Sequence, residues 1–366
     1  MENKSVRIVQ RKEYREIHIQ SVPLPGESPA DFAARTTETL DTAQANIVRA
    51  TFFGKTEKKD PILKCFEECT QQAKFPVTWI EGEPCNDSFI SGVYIFAVAG
   101  VEVRRLYLNG QVAGSFYQTS QADFCHIGGL YSDPSLDPSR QTTGILESSE
   151  SVLNQAGMSF ENTVRTWYYL DDILSWYNDF NKSRTAFFNK HGIFNKLVPA
   201  STGISGKNNS GSKIGFELTA IKPKDSGYII SRVKSPLQCS AEDYGSSFSR
   251  AVKYSDDEYT NLTVSGTASI DPEGKTAHLS DIKSQIKLSF DVVKAILYSQ
   301  NLDFSDIVRS YAYVNDKSFA EAFYEYIKSD LPVDFAFICA QNRICRDGLL
   351  FEIELDLVKK RDSVPK

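Results

Sequence analysis

The amino-acid sequence predicts an α+β fold made of three similar units in one chain. The string "FENTVRTWYYLDD" at residues 160–172 returns as "FSDIVRSYAYVND" at 304–316, and a degraded copy, "NIVRATFF", stands at 46–53. Around each copy, helical and strand patterns follow one another in the same order, which is typical of internal repeats. At 366 residues the chain also exceeds the usual size of a single domain. We therefore predict units at 1–100, 101–223 and 224–366, the first of them degenerate.

The last unit shows the pattern most clearly. The strand "LTVSGTASI" precedes "DIKSQIKLSFDVVKAILYSQ", whose apolar residues recur at helical spacing, and the strand "DIVRSYAYV" follows. A second helix, "SFAEAFYEYIKS", leads to two further strands, "VDFAFICA" and "LLFEIELDLV", where β-branched and aromatic residues are enriched. This order of elements is the template for the other two units.

The middle and first units repeat the template. In the middle unit the elements are "CHIGGLYSD", "QTTGILESSESVLNQAG", "TVRTWYYL", "SWYNDFNKSRTAFFNK", "PASTGISG" and "KIGFELTAI". In the first unit they are "DFAARTTETLDTAQA", "NIVRATFFG", "DPILKCFEECTQQAKF", "PVTWI" and "GVYIFAVAG". Matching "GFELTAI" with "LFEIELD" aligns Glu217 with Glu352 and places Tyr94 at the same position of the first unit.

Each predicted unit has two helices on one face of a small mixed sheet, so its other face needs a cover. Neighbouring units can supply that cover if the three sheets pack around a pseudo-threefold axis. This arrangement creates three inequivalent clefts between units, and clefts at domain interfaces are the usual places for ligands. Because one chain supplies all three units, a monomer is sufficient for the fold.

Composition narrows the class of partner. The net charge is −6, from 41 Lys and Arg against 47 Asp and Glu, which disfavours a nucleic-acid surface. There is no apolar run long enough to cross a membrane and no secretory signal at the N-terminus, so we expect a cytoplasmic protein with no membrane partner. The seven cysteines are an odd number without a zinc-binding spacing, which predicts reduced thiols and no metal. A small molecule is the expected partner.

Five motifs resemble those of chorismatases, also called chorismate hydrolases. They are "VRTWYYLDDIL" with the following "DFNKSRTAFF", then "PASTGISG", "DYGSSFSRAV", "SGTASI" and "CRDGLLFEIE". The resemblance covers residues from about 75 to 358, and the single unit resembles the Rid or YjgF fold, whose members are trimers with clefts between subunits. It implies hydrolysis of chorismate with release of pyruvate, leaving a cyclohexadiene diol or a hydroxybenzoate, without a metal or organic cofactor.

Glu352 is the candidate proton donor. It lies in the apolar run "LLFEIELDL", where an unpaired carboxylate would be costly, so its pKa should rise or it should have a partner. The chorismatase motif also implies a site glutamate here, in a unit that we expect to hold most of the active site. Tyr244 could orient a substrate carboxylate or stabilise the reacting ring, and Gly266 would let the backbone approach the ligand.

Two arginines are candidate ligands for the carboxylates of chorismate. Arg184 lies on the second helix of the middle unit, where the last unit has Phe323, so a shared scaffold role does not explain it. Arg165 has equivalents in both other units, Arg309 and Arg49, which favours a scaffold role. Strand alternation nevertheless places Arg165 on a face that could meet a cleft.

Two other functions remain open at this stage. A Rid-like deaminase or hydrolase could act on another small carboxylated metabolite, although the arginine that Rid deaminases carry before the penultimate strand is missing from "PVDFAFICA". A non-catalytic metabolite-binding protein is the third possibility, but the presence of Glu352 disfavours it. The product class and the pathway are not set by these residues.

Overall fold

The computed structural model describes residues 3–72, 74–86, 88–331 and 335–361. Its strands form three mixed sheets of five, six and seven strands, and each sheet carries two long helices. The predicted α+β fold of three units in one chain is confirmed. No helix within the described residues is both long and apolar enough to span a lipid bilayer.

The first sheet has the strand order β1-β2-β6-β3-β4. The elements of this unit are β1 (Lys4–Gln10), β2 (Arg15–Ser21), α1 (Pro29–Ala43), β3 (Asn46–Phe53), α2 (Lys59–Thr70), β4 (Val77–Ile80), β5 (Glu83–Pro84) and β6 (Gly92–Ala99).

The second sheet has the order β11-β10-β12-β9-β8-β7. Its unit contains β7 (Arg104–Leu108), β8 (Gln111–Gln118), β9 (Ala122–Tyr131), α3 (Pro138–Gln155), β10 (Thr163–Leu170), α4 (Ile173–Lys190), β11 (Ala200–Ser205) and β12 (Ile214–Pro223).

The third sheet has the order β13-β14-β15-β18-β16-β17-β5, so the short strand β5 of the first unit extends it at one edge. Its own elements are β13 (Ile229–Val233), β14 (Ala251–Ser255), β15 (Tyr259–Ala268), α5 (Ile282–Ser299), β16 (Ile307–Val314), α6 (Ala320–Asp330), β17 (Ile338–Gln341) and β18 (Phe351–Lys360).

Local sequence explains where the first helix of each unit begins. The side chains of Ser28, Asp137 and Asp281 accept hydrogen bonds from backbone N–H groups in the first turns of α1, α3 and α5. Such caps satisfy donors that have no partner inside the helix. The second helix of each unit joins two parallel strands, as a crossover connection requires.

The repeated string forms the strand at which two kinds of core meet. On β10, Trp167 and Tyr169 face a central hydrophobic cluster built from all three sheets, whereas Tyr168 and Leu170 face the helices of their own unit. Separate clusters lie between the first sheet and its helices and between the third sheet and its helices. The three sheets therefore cover one another around a common centre, as predicted.

Most predicted elements are present, and most differences lie at the edges of the sheets. The strands β1, β5, β7, β8, β13 and β14, which widen the sheets, were not among the predicted elements, and neither was β2, which lies inside the first sheet. The predicted strand "VDFAFICA" is shorter in the structure, where β17 begins at Ile338. Residues 333 and 334 of that segment lie outside the described residues.

Candidate active site

The pairing of Glu352 within its sheet identifies its counterparts in the other two units. In each sheet this position lies opposite the last aromatic residue of the repeated strand, namely Tyr313, Tyr169 and Phe53. The counterparts of Glu352 are Gly215 in the second sheet and Gly92 in the first. A carboxyl group therefore stands at this position in one cleft of the three.

The predicted alignment of Glu217 and Tyr94 with Glu352 is wrong by two residues. By strand pairing, both of them correspond to Glu354. The string "FEIE" contains two glutamates, and sequence similarity alone does not decide which one matches "GFEL". The three sheets share a register irregularity just before the repeated arginine, and this common feature determines how the strands of the three sheets align.

The two glycine positions are closed by neighbouring side chains. A Cβ atom on Gly92 would lie 2.9 Å from Cγ1 of Ile338, and one on Gly215 would lie 3.2 Å from the ring of Tyr131. Beside Glu352, by contrast, a pocket opens between the second and third units. It encloses about 520 Å³ of space not filled by protein atoms, its open mouth included.

Elements of two units build the walls of this pocket. The second unit contributes α4 and β11, and the third contributes β15, β18 and the two loops that precede β14 and β18. Hydrogen bonds between β11 and β15 hold the walls together, because the backbone N–H of Gly266 donates to the side-chain Oγ1 of Thr202 at 2.9 Å. The corresponding contact between the first and second units, Gly129 to Thr78, measures 2.8 Å. The pocket thus forms at a junction that the pseudo-symmetry repeats.

Glu352 has the surroundings expected of a neutral carboxyl group. Its exposed fraction is 4%, and its side chain forms no hydrogen bond or ion pair with any residue that the structure describes. Burial, followed by the nearby charge of Glu354, raises its pKa to about 8, against the opposing effects of Arg165 and Arg250. At pH 7 most molecules therefore carry a proton on this carboxyl group.

Gly266 lies directly against the Glu352 carboxyl group. A Cβ atom at this position would be 2.9 Å from Cδ of Glu352 and closer still to its Oε1, and 3.2 Å from Cγ2 of Thr202. The φ angle of Gly266 is not in the left-handed region, so its conformation does not require glycine. The residue is needed because no larger side chain fits beside the carboxyl group.

Three arginines line the pocket: Arg184, Arg250 and Arg346. Within the described residues, none of them has a carboxylate within ion-pair distance. Arg184 donates to Oδ1 of Asn181 at 2.7 Å, and its Nε is buried without a partner. Arg250 donates from Nε to the carbonyl of Cys239 at 3.1 Å, and its Nη2 is also buried without a partner. Such positive charge lacking a counter-charge is suited to an anionic ligand.

Tyr244 ends the short 3₁₀ turn Ala241–Tyr244 at the mouth of the pocket. Its ring lies 5.4 Å from the guanidinium carbon of Arg250 and 5.2 Å from that of Arg346, so it contacts both cations through its face. Burial raises the pKa of its phenol above the usual value. The hydroxyl therefore stays protonated near neutral pH and can donate a hydrogen bond to a ligand.

Arg165 lies outside the pocket wall. It is fully buried, donates to Oγ1 of Thr202 at 2.7 Å and forms a short ion pair with Glu354. The structure therefore brings Glu352, Tyr244, Gly266 and Arg184 together around one pocket and places Arg165 behind it.

Two pocket arginines, Arg250 and Arg346, were not among the predicted site residues. Both stand in motifs that carry the family resemblance, "FSRAV" and "CRD", and neither has a counterpart in the repeated string. Their place in the family motifs and their absence from the repeated string could have identified them as site residues. The neighbouring Cys345 has a pKa raised by burial to about 12, so its thiol is not a nucleophile at neutral pH.

Comparison with known proteins bears on the fold of the whole chain. A family model described as Endoribonuclease L-PSP matches residues 244–358, most of the third unit. Among solved structures, a crystal structure of a chorismatase is similar over 96% of this chain and 100% of its own, with a TM-score of 0.68 and 16% sequence identity. The chain has the chorismatase fold. Within this chain, Glu352 lies in one of the three clefts between units.

Smaller proteins match over about a third of the chain. Yeast Mmf1 is 25% identical, covering 36% of this chain and 100% of its own, with a TM-score of 0.30. RidA from the Antarctic bacterium Psychrobacter is 22% identical, covering 35% of this chain and 98% of its own, with a TM-score of 0.30. A comparison with curated proteins finds no match.

Within the described residues, no three His, Cys, Asp or Glu side chains come together as metal ligands would. The polar groups that line the pocket include the Glu352 carboxyl, the hydroxyls of Tyr177, Tyr244, Ser201 and Ser246, and the three arginines.

Proposed function

We propose that the protein hydrolyses chorismate to pyruvate and a dihydroxycyclohexadiene carboxylate or a hydroxybenzoate. The observation that carries this proposal is the buried Glu352 carboxyl, which faces a pocket lined by three arginines; among the described residues, Glu352 has no hydrogen-bond partner and the arginines have no acidic partner. Chorismate is a dicarboxylate with an enol ether, so it needs both cations and an acid. The chorismatase fold and the motif resemblance support the same substrate.

The proposed reaction begins with transfer of the Glu352 proton to the methylene carbon of the enolpyruvyl group. The C=C electron pair forms the new C–H bond, which leaves an oxocarbenium ion at the ether carbon. Water adds to this carbon, and loss of a proton gives a hemiketal. The hemiketal hydroxyl then loses its proton, and the bond between the hemiketal carbon and the ether oxygen breaks to release pyruvate. The ether oxygen stays on the ring and takes up a proton as an alcohol of the diol. Loss of one water from the diol would aromatise the ring to a hydroxybenzoate.

The surroundings of Glu352 suit this first step. A carboxyl group with a pKa near 8 keeps its proton at pH 7 and gives it to a weak carbon base only when solvent does not compete. Apolar side chains of Phe248, Ile270 and Leu349 line the same pocket and limit the access of water. The arginines hold the substrate carboxylates, and Tyr244 donates to the ring substituents or to a carboxylate.

Incubation of the purified protein with chorismate tests the proposal, with pyruvate followed by lactate dehydrogenase. We expect steady pyruvate release that falls as the pH rises through about 8, because the active form of Glu352 is the protonated one. The dihydroxy or hydroxybenzoate product is identified by mass spectrometry. Absence of pyruvate at every pH between 5 and 9 would refute the proposed function.

Replacement of Arg184 by glutamine should weaken substrate binding. Since the arginine has no acidic partner among the described residues, its loss removes a charge-assisted contact with a substrate carboxylate, and we expect KM to rise about tenfold or more. The matched control is Lys182→Gln on the same helix, where the lysine pairs with Asp179 on the surface. Equal KM values for the two variants would show that Arg184 does not bind substrate.

A further inference from the structure

Two neighbouring carboxyl groups on β18 have opposite surroundings. Glu352 and Glu354 are two residues apart and on the same face of the strand. Four side chains donate to Glu354: Arg309 at 2.7 Å, Trp167 at 3.0 Å, and Arg165 and Thr202 through short contacts. Glu352 receives no hydrogen bond from any described residue. The three ion pairs that Arg165 and Arg309 form on this strand therefore involve Glu354 and Asp356, and none involves Glu352.

The unequal distribution of hydrogen bonds and ion pairs between Glu352 and Glu354 decides which carboxyl group is ionised. Two like charges so close on a buried strand face disfavour each other, and the charge remains where cations and donors compensate it. Glu354 has an exposed fraction of 0% and two arginine partners, so it holds the negative charge. Glu352 then keeps its proton.

Other titratable and charged groups also lie near Glu352, but none of them adds a second negative charge. The titratable or charged residues around its carboxyl group are Glu354, Tyr313, Tyr177, Tyr244, Arg165, Arg250 and Cys345, together with the other two pocket arginines. Burial raises the pKa of the three phenols and of the Cys345 thiol, so these four groups are neutral near pH 7. The only negative charge in this set is that of Glu354.

We propose that Glu354, bound between Arg165 and Arg309, is a positioning residue that keeps Glu352 in its proton-donating form. Thr202 joins this assembly to the pocket, because its Oγ1 contacts Glu354 and Arg165 and accepts from the N–H of Gly266 at 2.9 Å. The inference gives Arg165 a role as a charge behind the site. Its catalytic consequence rests on the proposed function, but the protonation of Glu352 does not.

Two single substitutions should move the titration of Glu352 in opposite directions. Glu354→Gln removes the negative charge and leaves Arg165 uncompensated, so the midpoint should fall by at least about one pH unit. Arg165→Gln removes a positive charge and should raise the midpoint. In the double variant Glu354→Gln/Arg165→Gln, both charges are absent, and the midpoint should lie between those of the single variants.

The titration is read without substrate, from the infrared band of the protonated Glu352 carboxyl group. This band is isolated as the difference between each protein and the same protein carrying Glu352→Gln. The matched control is Arg49→Gln, because Arg49 is the counterpart of Arg165 in the first unit and faces Glu217 instead. We expect this control to leave the midpoint unchanged.

Shifts in the same direction for both single variants, or no shift in either, would overturn the inference. If Glu354→Gln fails to fold, the effect of the glutamate is measured as the difference between Arg165→Gln and the double variant. Failure of the proposed function is seen separately, as absence of pyruvate from the wild type. If pyruvate is released, its pH profile should move in parallel with the infrared midpoint.

Discussion

Replacement of Glu352 by glutamine is expected to lower kcat/KM for pyruvate release from chorismate about 10²- to 10⁴-fold, the usual contribution of a general acid. The amide has nearly the volume of the carboxyl group and fits the same buried position beside Gly266. It cannot supply the proton that the methylene carbon requires. Because the arginines are untouched, KM should change little, and kcat should carry the loss.

The pH dependence of stability gives this variant an internal control. The pKa of Glu352 in the folded protein, about 8, lies above its ordinary value of 4.5. The stabilisation that comes from holding this proton is fully present below pH 4.5, declines as the pH rises, and is lost above pH 8. Relative to the wild type, the glutamine variant should therefore become more stable as the pH rises from 5 to 8, as thermal unfolding would show.

Pyruvate release and the stability difference test two separate claims: that Glu352 is the proton donor, and that it is protonated in the folded protein. If pyruvate release survives in Glu352→Gln while the stability difference follows the expected curve, Glu352 is a buried neutral carboxyl group but not the proton donor. If the stability difference is flat between pH 5 and 8, the carboxyl group is ionised in the folded protein. It then lacks the proton that the proposed reaction transfers.

The repeat explains why so much of the fold follows from sequence. A strand such as β10 is buried on both faces and contains side chains for two different cores, so its copies keep a similar string. The edge strands β7 and β13 meet solvent, and their sequences carry weaker patterns. Periodicity therefore predicted most central elements, but it missed β2 and the strands that widen each sheet.

Part of the pocket wall was predictable where a residue breaks the repeat. The sequence alignment matches Arg184 with the apolar Phe323 of the last unit, and Arg184 lies in the pocket wall. Arg165 follows the repeat and lies behind the pocket, in an ion pair with Glu354. The register of Glu352 could not be predicted, because two glutamates stand two residues apart on the same strand face and only the pairing with β16 separates them.

Replacement of Gly266 by alanine is expected to lower kcat/KM by about 100-fold or more. The added methyl group would overlap the Glu352 carboxyl group, with Cβ only 2.9 Å from its Cδ atom, so the carboxyl group or β15 must move. Displacements of about 1 Å at a reacting group cost roughly this factor. The overlap should also destabilise the protein by about 1–3 kcal/mol, the usual cost of overpacking a well-packed position.

Gly203→Ala is the matched control for this substitution. Gly203 lines the same pocket, also outside the left-handed region of φ, and a Cβ atom there would meet only the ring of Tyr177, at 3.6 Å. This is an ordinary van der Waals contact, so the variant should keep its activity within a few-fold of the wild type. If both alanine variants lose activity equally, the pocket as a whole is intolerant of added volume. If neither does, Glu352 can leave its position beside Gly266 without loss of chemistry, and the close contact between these two residues has no role in positioning the acid.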